Sequence, residues 1–161
     1  MRRALFLTWL LLTGCGYRFA VSGGTLPGQA KSVRVPVFEN RTSEPNVEAL
    51  VAEALRERYA RAGLLGGDDA ETTLEGVVLA VSGGPTGVAY ALPTYQLSIV
   101  VRVAIKRGDK VLGDTVVQQT EYFSSGADVL LTEANRGAAL RRLVDVLARD
   151  VVDRLAVPAP Q

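Results

Sequence analysis

The sequence has 161 residues, 48% of them hydrophobic, with 18 Lys and Arg against 17 Asp and Glu. A chain of this length buries enough apolar surface to fold as one domain without disulfide bonds or metal ions. It contains no His and a single Cys, which excludes His/Cys zinc sites, Ser-His-Asp triads and Cys-His dyads within one chain. A net charge of +1 argues against a nucleic-acid-binding protein, because such proteins carry a clear excess of Lys and Arg.

The first 15 residues have the three parts of a secretory signal. Arg2 and Arg3 precede an apolar run that is too short to span a bilayer, and small residues follow it. The last four of these residues, Leu12-Thr13-Gly14-Cys15, resemble the lipobox of bacterial lipoproteins. The resemblance implies cleavage after Gly14 and attachment of a diacylglycerol and an N-acyl chain, such as palmitate, to Cys15. An ordinary signal peptide with a chance Cys is the alternative.

Lipidation would make this chain a membrane-anchored protein, because three acyl chains hold a protein firmly to a bilayer. Loss of residues 1–14 removes two of the 18 basic residues and none of the 17 acidic ones, which leaves a net charge of about −1. By the enterobacterial sorting rule that the lipoprotein resemblance implies, an Asp after the Cys favours retention in the inner membrane. Gly16 occupies that position here. We therefore expect the protein at the outer membrane, on the periplasmic side.

Residues 15–31 are predicted to form the lipidated tether and the loop that leads into the domain. Residues 16–21 have the pattern of a short extended segment, and residues 22–28 have the composition of a turn. A first strand is predicted over residues 32–38, with Pro36 at an edge or a bulge. One face of this strand carries Val33, Val35 and Val37.

Two amphipathic helices are predicted from apolar residues that recur at intervals of three and four. The first follows residues 40–45, which supply a cap residue, an acid and a proline for its first turn, and it ends at Gly63. The second covers residues 131–155. The apolar stripe of the first helix consists of Val47, Leu50, Val51, Ala54, Leu55 and Tyr59. That of the second helix consists of Leu140, Leu143, Val144, Leu147, Val151 and Leu155. The charged residues at the other positions of each helix are interpreted as its solvent-exposed face.

Three further strands are predicted over residues 72–82, 95–106 and 111–123, and a tight turn at residues 107–110 joins the last two. The order β-α-β-β-β-α predicts an α+β fold in which two helices pack on one face of a four-stranded sheet. We expect one domain over residues 32–157 and a short tail at residues 158–161.

Two segments are candidates for binding. Residues 83–93 are predicted to form a long uncharged loop, which would expose apolar side chains unless it inserts into a partner: Val88, Tyr90 and Leu92. The turn between the last two strands carries three basic side chains that suit phosphate groups: Lys106, Arg107 and Lys110. Protection of the sheet edge by these basic residues is the alternative.

Neither a nucleotide site nor a metal site is predicted. The glycine-rich residues 83–87 lack the Lys-Ser/Thr ending of a phosphate-binding loop, and no helix pattern follows them. The acidic residues 68–71 match no calcium loop and are interpreted as a solvated turn. Apart from the acyl chains on Cys15, no cofactor is expected.

Residues 12–19, Leu26-Pro27 and residues 33–45, together with the order of elements, resemble the lipopolysaccharide-assembly lipoprotein family, often called LptE. The resemblance implies a two-helix, four-stranded domain that plugs the large outer-membrane β-barrel translocon, an LptD-like protein. It implies that the domain assists barrel assembly, binds lipopolysaccharide and is not an enzyme. In the family, basic residues near one end of the sheet are linked with lipid binding. Lys106, Arg107 and Lys110 are the candidates for that role here.

A second resemblance leads to a different function. The strand of residues 33–38, followed by Asn40-Arg41-Thr42 and a helix, also resembles the start of curli-secretion lipoproteins and of wall-synthase activators. The alternative is therefore a periplasmic lipoprotein that regulates a cell-wall synthase or a secretion pore.

Overall fold

The computed structural model describes residues 26–89 and 92–156. The predicted signal segment, Cys15, the first part of the tether, Tyr90 and the C-terminal tail lie outside the described residues, so the predicted domain limits stay predictions. The elements are a 3-10 turn (Pro27–Gln29), β1 (Val33–Arg34), β2 (Glu39–Asn40), α1 (Val47–Arg61), β3 (Thr72–Ala89), β4 (Leu92–Arg107), β5 (Lys110–Ser124) and α2 (Val129–Leu155). Among these residues, no helix combines the length and the apolar character that a membrane crossing requires.

The sheet has the order β1-β3-β4-β5, and β2 pairs with β3 beyond β1. β1 and β2 run parallel to β3, whereas β3, β4 and β5 form an antiparallel meander. Alternate residues of β4 are fully buried, which shows that the helices cover one face of the sheet: Leu97, Ile99, Val101, Val103 and Ile105. The predicted α+β fold and its element order are confirmed.

The first strand differs from its prediction, because residues 32–38 do not form one continuous strand. β1 and β2 are separate two-residue strands, and Pro36, which has no N–H to donate, lies between them. Val37 consequently points outward and is 57% exposed, whereas Phe38 is buried over Gly76 of β3. The sheet therefore has five strands in place of the four expected.

The prediction of a long loop over residues 83–93 is wrong. β3 continues to Ala89, and its residues Gly83 and Gly84 pair with Leu97 and Gln96 of β4. Register shifts at Val78/Ala80 and Pro85/Gly87 let the strand continue through its glycines and its proline. Within the described ranges, no strand pairs with the outer side of β3 beyond Val78, so the missing N–H of Pro85 breaks no ladder.

The first helix ends where the sequence predicts but begins later. Gly63 has φ 69° and donates its N–H to the carbonyl of Ala60, while Leu64 donates to Tyr59, which together form a Schellman cap. At the other end, Pro45 precedes the helix and Asn46 is the N-cap residue. The backbone of Asn46 is in the left-handed conformation, and its side chain makes no capping hydrogen bond. Asn40 was expected near the cap. It instead ties β2 to the helix, donating to the Glu44 carbonyl at 2.8 Å and to a Glu48 carboxylate oxygen at 2.8 Å.

The second helix begins at Val129, two residues before its predicted start. The Asp128 carboxylate caps it by accepting the backbone N–H of Leu131 at 2.8 Å. Its predicted apolar stripe is confirmed, because five of the six residues are buried and Leu140 is half-buried against the core.

An ion pair joins the loop before α1 to the first third of α2. Arg136 donates to both carboxylate oxygens of Glu44, through Nη1 at 3.0 Å and through Nη2. The Glu44 side chain is only 17% exposed, and these hydrogen bonds hold its pKa below the ordinary value of 4.5. A carboxylate with a lowered pKa in the folded state contributes stability at neutral pH that disappears as the pH falls through the lowered pKa.

We expect Glu44→Gln to reduce the free energy of unfolding by about 1–2 kcal/mol at pH 7, since charge-assisted hydrogen bonds are lost. The difference between the variant and the unmodified protein should shrink as the pH falls below 4.5 and through the lowered pKa of Glu44. Urea denaturation at pH 7 and pH 3 measures both effects. Glu57→Gln, which removes the exposed Glu57–Arg61 pair of α1, is the matched control and should change stability by less than about 0.5 kcal/mol. An equal effect of both variants would contradict the assignment.

Candidate partner-binding surfaces

One end of the sheet exposes an apolar surface. At this end, which we call the distal end, β4 begins and the first turn of α2 lies beside it. The surface consists of Leu92, Pro93, Val129, Leu130 and Leu131, and we call it the distal apolar surface. Val129 is 77% exposed and Leu130 is 83% exposed. Apolar side chains that cluster at one end of a soluble domain are typical of a surface that a partner covers.

Hydrogen bonds hold this end in one geometry. The Ser125 N–H donates to the Pro93 carbonyl at 2.8 Å, which ties the link before α2 to the start of β4. The Gly126 N–H donates to the Thr132 hydroxyl oxygen at 2.9 Å, and the Asn135 amide donates to the Ser124 carbonyl at 3.0 Å. The first turn of α2 is therefore fixed against the sheet, and a partner would meet its apolar side chains already positioned.

The structure places only part of the predicted inserting segment at this surface. Leu92 is 41% exposed at the start of β4. Val88 belongs to β3, but its side chain is not described, and Tyr90 lies outside the described residues. Insertion of this segment into a partner stays a prediction. The inserting element would be the end of the β3–β4 hairpin, where Ala89 pairs with Leu92, and not a loop.

The sequence reasoning missed Val129 and Leu130. A signal was available, because three consecutive apolar residues directly follow a good N-cap residue, Asp128, and only one face of a helix can be buried.

A cleft of about 510 Å³ lies between the β3–β4 hairpin and α2. The rings of Tyr95 and Phe123, which line it, stack with their centroids 5.4 Å apart. Glu44 and Arg136 form one wall, and their pairing neutralises both charges there. The lowered pKa of Glu44 keeps this carboxylate ionised at neutral pH, which is opposite to what a general acid requires. Glu133 also lines the cleft, so its charged side chains together carry one net negative charge, which disfavours an anionic group there.

The basic turn lies at the opposite end of the sheet, which we call the proximal end. Arg107 pairs with Lys110, and Gly108 has φ 57° in the tight turn between them, as predicted. Lys106 Nζ lies 2.6 Å from Glu75 Oε2, and Arg107 Nη2 lies 3.4 Å from Glu71 Oε2. The three candidate basic residues share this turn, but Lys106 and Arg107 are consecutive in β4 and point to opposite faces of the sheet. Acidic neighbours on or beside β3 pair with both of them.

The acidic residues 68–71 lie in the turn before β3. Asp68 is fully exposed, and its Oδ1 lies 3.5 Å from Arg34 Nη1. The backbone N–H of Glu71 donates to the Ser32 hydroxyl at 3.1 Å, and its carboxylate lies 3.4 Å from Arg107 Nη2. Among the described residues, no three acidic, His or Cys side chains group in a way that could hold a metal ion.

The sequence profile of the family LptE, described as lipopolysaccharide-assembly, matches residues 30–155, which is most of the chain and the whole described domain after its first turn. The chain belongs to the LptE family. It is therefore a cell-envelope lipoprotein of lipopolysaccharide assembly, from a family whose members act without catalysis. No curated protein matches the sequence significantly.

Solved structures share the fold of this LptE-family protein. Protein CT253 from Chlamydia trachomatis superposes with a TM-score of 0.54 and 14% identity, covering 78% of this chain and 98% of its own. A candidate lipoprotein from Caulobacter crescentus superposes with a TM-score of 0.52 and 14% identity, covering 74% of this chain and 87% of its own. The rare lipoprotein B from Shewanella oneidensis superposes with a TM-score of 0.50 and 12% identity, covering 72% of this chain and 90% of its own. At these identities the likeness concerns the fold alone.

Proposed function

We propose that this protein is the outer-membrane lipoprotein that partners a β-barrel lipopolysaccharide translocon. It acts as plug and assembly partner of the barrel and helps insert lipopolysaccharide into the outer leaflet. The observation that carries the proposal is the distal apolar surface, a fixed and exposed patch on a domain of the lipopolysaccharide-assembly family. A plug needs such a patch, because burial of apolar groups is the main source of stability in permanent complexes.

The predicted anchor supports the same function. Cys15 with its lipobox would hold the domain at the membrane that contains the barrel, and Gly16 leaves the chain free to reach the outer membrane. Tethering raises the effective concentration of the domain near its partner, so that a modest interface suffices for stable association.

Affinity capture tests the proposal directly. The tagged protein is isolated from detergent-solubilised outer membranes, and its partners are identified by mass spectrometry. We expect one large β-barrel protein in near-equimolar amount. Recovery of a peptidoglycan synthase or a secretion pore without a barrel translocon would refute the proposal and favour the alternative function.

The basic turn is proposed to contact the phosphate groups of lipopolysaccharide. Replacing Lys106, Arg107 and Lys110 by Glu is expected to weaken lipopolysaccharide binding at least tenfold, because several charge-assisted contacts become repulsive. Binding of the purified protein to lipopolysaccharide, measured by surface plasmon resonance at fixed ionic strength, tests this expectation.

A second triple variant controls for net charge. Arg61, Arg141 and Arg149 are exposed on the helices, and their replacement by Glu changes the total charge by the same amount. This control should bind lipopolysaccharide nearly as well as the unmodified protein. Normal affinity in the turn variant, or equal loss in both variants, would remove the turn as the contact site.

A further inference from the structure

β5 forms one edge of the sheet, and this edge is free among the residues that the structure describes. The strand is 15 residues long and pairs only with β4. Alternate N–H and C=O groups of β5 therefore point away from the sheet with no neighbouring strand to receive them. Proteins usually protect such an edge with bulges, prolines or a very short strand.

The other free edge shows this protection along its length, whereas β5 has a register shift near its start, between Val111 and Gly113, and none beyond it in the described ladder. The outer side of β3 beyond Val78 carries two register shifts and Pro85, all of which discourage another strand. β5 contains no proline, and its pairing with β4 is regular from Gly113 to Ser124. Of these two edges, the β5 edge is the one suited to accept a further strand.

The described chain begins beside the first residues of β5. Leu26 and Pro27 are buried there. An ideal Cβ placed on Gly113 would lie 3.6 Å from Pro27 Cγ, and one placed on Gly28 would lie 3.2 Å from Leu112 Cδ1. Residues that precede Leu26 therefore join the domain at the start of the free edge.

The sequence before Leu26 has the pattern of a strand. Residues 16–21 read Gly-Tyr-Arg-Phe-Ala-Val, with apolar side chains at every second position, and they contain no proline. Residues 22–25, Ser-Gly-Gly-Thr, supply a flexible link to Leu26. A six-residue strand is about 20 Å long, which is roughly half the length of the regular part of β5.

α2 offers an apolar contact just beyond the edge. Arg142 pairs with Glu121 of β5 at 2.8 Å, and Asp150 accepts a hydrogen bond from Gln119 of β5 at 3.0 Å. Val146 lies between these two residues on the same row of the helix, spaced four residues from each, and is 43% exposed. A strand added beside β5 would cover it.

We propose that residues 16–21 add to the free edge of β5 as a further, antiparallel strand, with Tyr17, Phe19 and Val21 facing α2 near Val146. The direction follows from the position of Leu26, because the chain must run toward the start of β5 to reach it. This strand would hold Cys15, the predicted lipid attachment residue, against the domain and so set the orientation of the domain relative to the membrane. Strand addition requires no lipopolysaccharide, and it can therefore be tested separately from the proposed function.

Residue-resolved hydrogen–deuterium exchange of the purified lipoprotein in detergent micelles tests the proposal. The double variant Arg18→Pro/Phe19→Pro keeps the chain length but prevents pairing, because proline lacks the N–H donor. The control Ser22→Pro/Gly23→Pro places the same number of prolines in the link. Thermal unfolding of each variant verifies that the domain is folded.

We expect the outward-pointing amides of β5 to exchange at least tenfold more slowly in the unmodified protein and in the control than in the Arg18→Pro/Phe19→Pro variant. The outward amides of β3 between Ala80 and Ala89 should exchange rapidly in all three proteins. Rapid exchange along β5 in the unmodified protein would overturn the proposal. Slow exchange in all three proteins would also overturn it, and a dimer in light scattering would then identify a second copy as the occupant of the edge.

Discussion

Replacing Gly76 by alanine is expected to lower the free energy of unfolding by about 3 kcal/mol, the upper end of the range for overpacked cores. An ideal Cβ on Gly76 would lie 2.1 Å from Cε2 of Phe38 and 2.2 Å from its Cδ2, and Phe38 is only 5% exposed. The ring cannot move away without disturbing the core beneath α1 and α2. Since a folded domain is stable by only about 5–15 kcal/mol, the loss should be evident in the denaturant midpoint.

The sign of this effect distinguishes the clash from ordinary strand propensity. Glycine weakens a strand, so Gly→Ala in β3 should stabilise the protein slightly where there is room. Gly84→Ala is the matched control, because nothing lies within 4 Å of an ideal Cβ at that position. It should leave stability unchanged or raise it by up to about 1 kcal/mol. Phe38→Leu should cost less in the Gly76→Ala background than alone, since the two residues are in contact. Equal effects of Gly76→Ala and Gly84→Ala would refute the packing argument.

Leu130→Asp is expected to reduce recovery of the barrel partner at least tenfold while the domain stays folded. Burial of a leucine side chain contributes about 1.5–3 kcal/mol, and each 1.4 kcal/mol changes an affinity tenfold. A carboxylate at the same place would also have to lose its water. Leu130 is 83% exposed and lies in the first turn of α2, where an acidic residue interacts favourably with the helix dipole. A loss of binding would therefore not arise from unfolding.

The control for this variant is Val111→Asp. Val111 is 50% exposed and belongs to β5 at the proximal end of the sheet, far from the distal apolar surface. Quantitative affinity capture from solubilised outer membranes compares the two variants, with circular dichroism to verify folding. Unchanged barrel recovery with Leu130→Asp, or equal loss with Val111→Asp, would show that the distal apolar surface is not the contact.

The helices of this protein could be predicted from sequence because their signals are local. The stripes of α1 and α2 recur at the helical period over several turns, and Gly63 supplies the left-handed residue of the C-terminal cap. The start of α1 was less predictable. Pro45 suits a first helical turn, but Asn40 binds Glu44 and Glu48 and so orders the residues before the helix.

The segment at residues 83–89 could not be predicted from local composition. Its glycines and Pro85 are typical of a turn, but the antiparallel pairing with β4 decides its structure, and that pairing joins residues distant in sequence. Phe38 illustrates the same limit, because its burial depends on the space above Gly76 in a strand that lies far along the chain.

The candidate binding surfaces were predicted in part. The basic turn was found because turn signals and charges are both visible in the sequence, but the partners of Lys106 and Arg107, Glu75 and Glu71, come from a different strand and its preceding turn. The distal apolar surface combines the start of β4 with the start of α2, and only the fold brings them to one end of the sheet.

Depletion of the protein in the organism that encodes it tests the central claim, a role in delivering lipopolysaccharide to the cell surface. The fraction of newly made lipopolysaccharide that reaches the surface is measured by pulse labelling and by its accessibility to an externally added antibody. We predict that depletion lowers this fraction severalfold, and that the unmodified gene restores it whereas the Cys15→Ala and Leu130→Asp variants do not. A normal surface fraction after complete depletion would contradict the account.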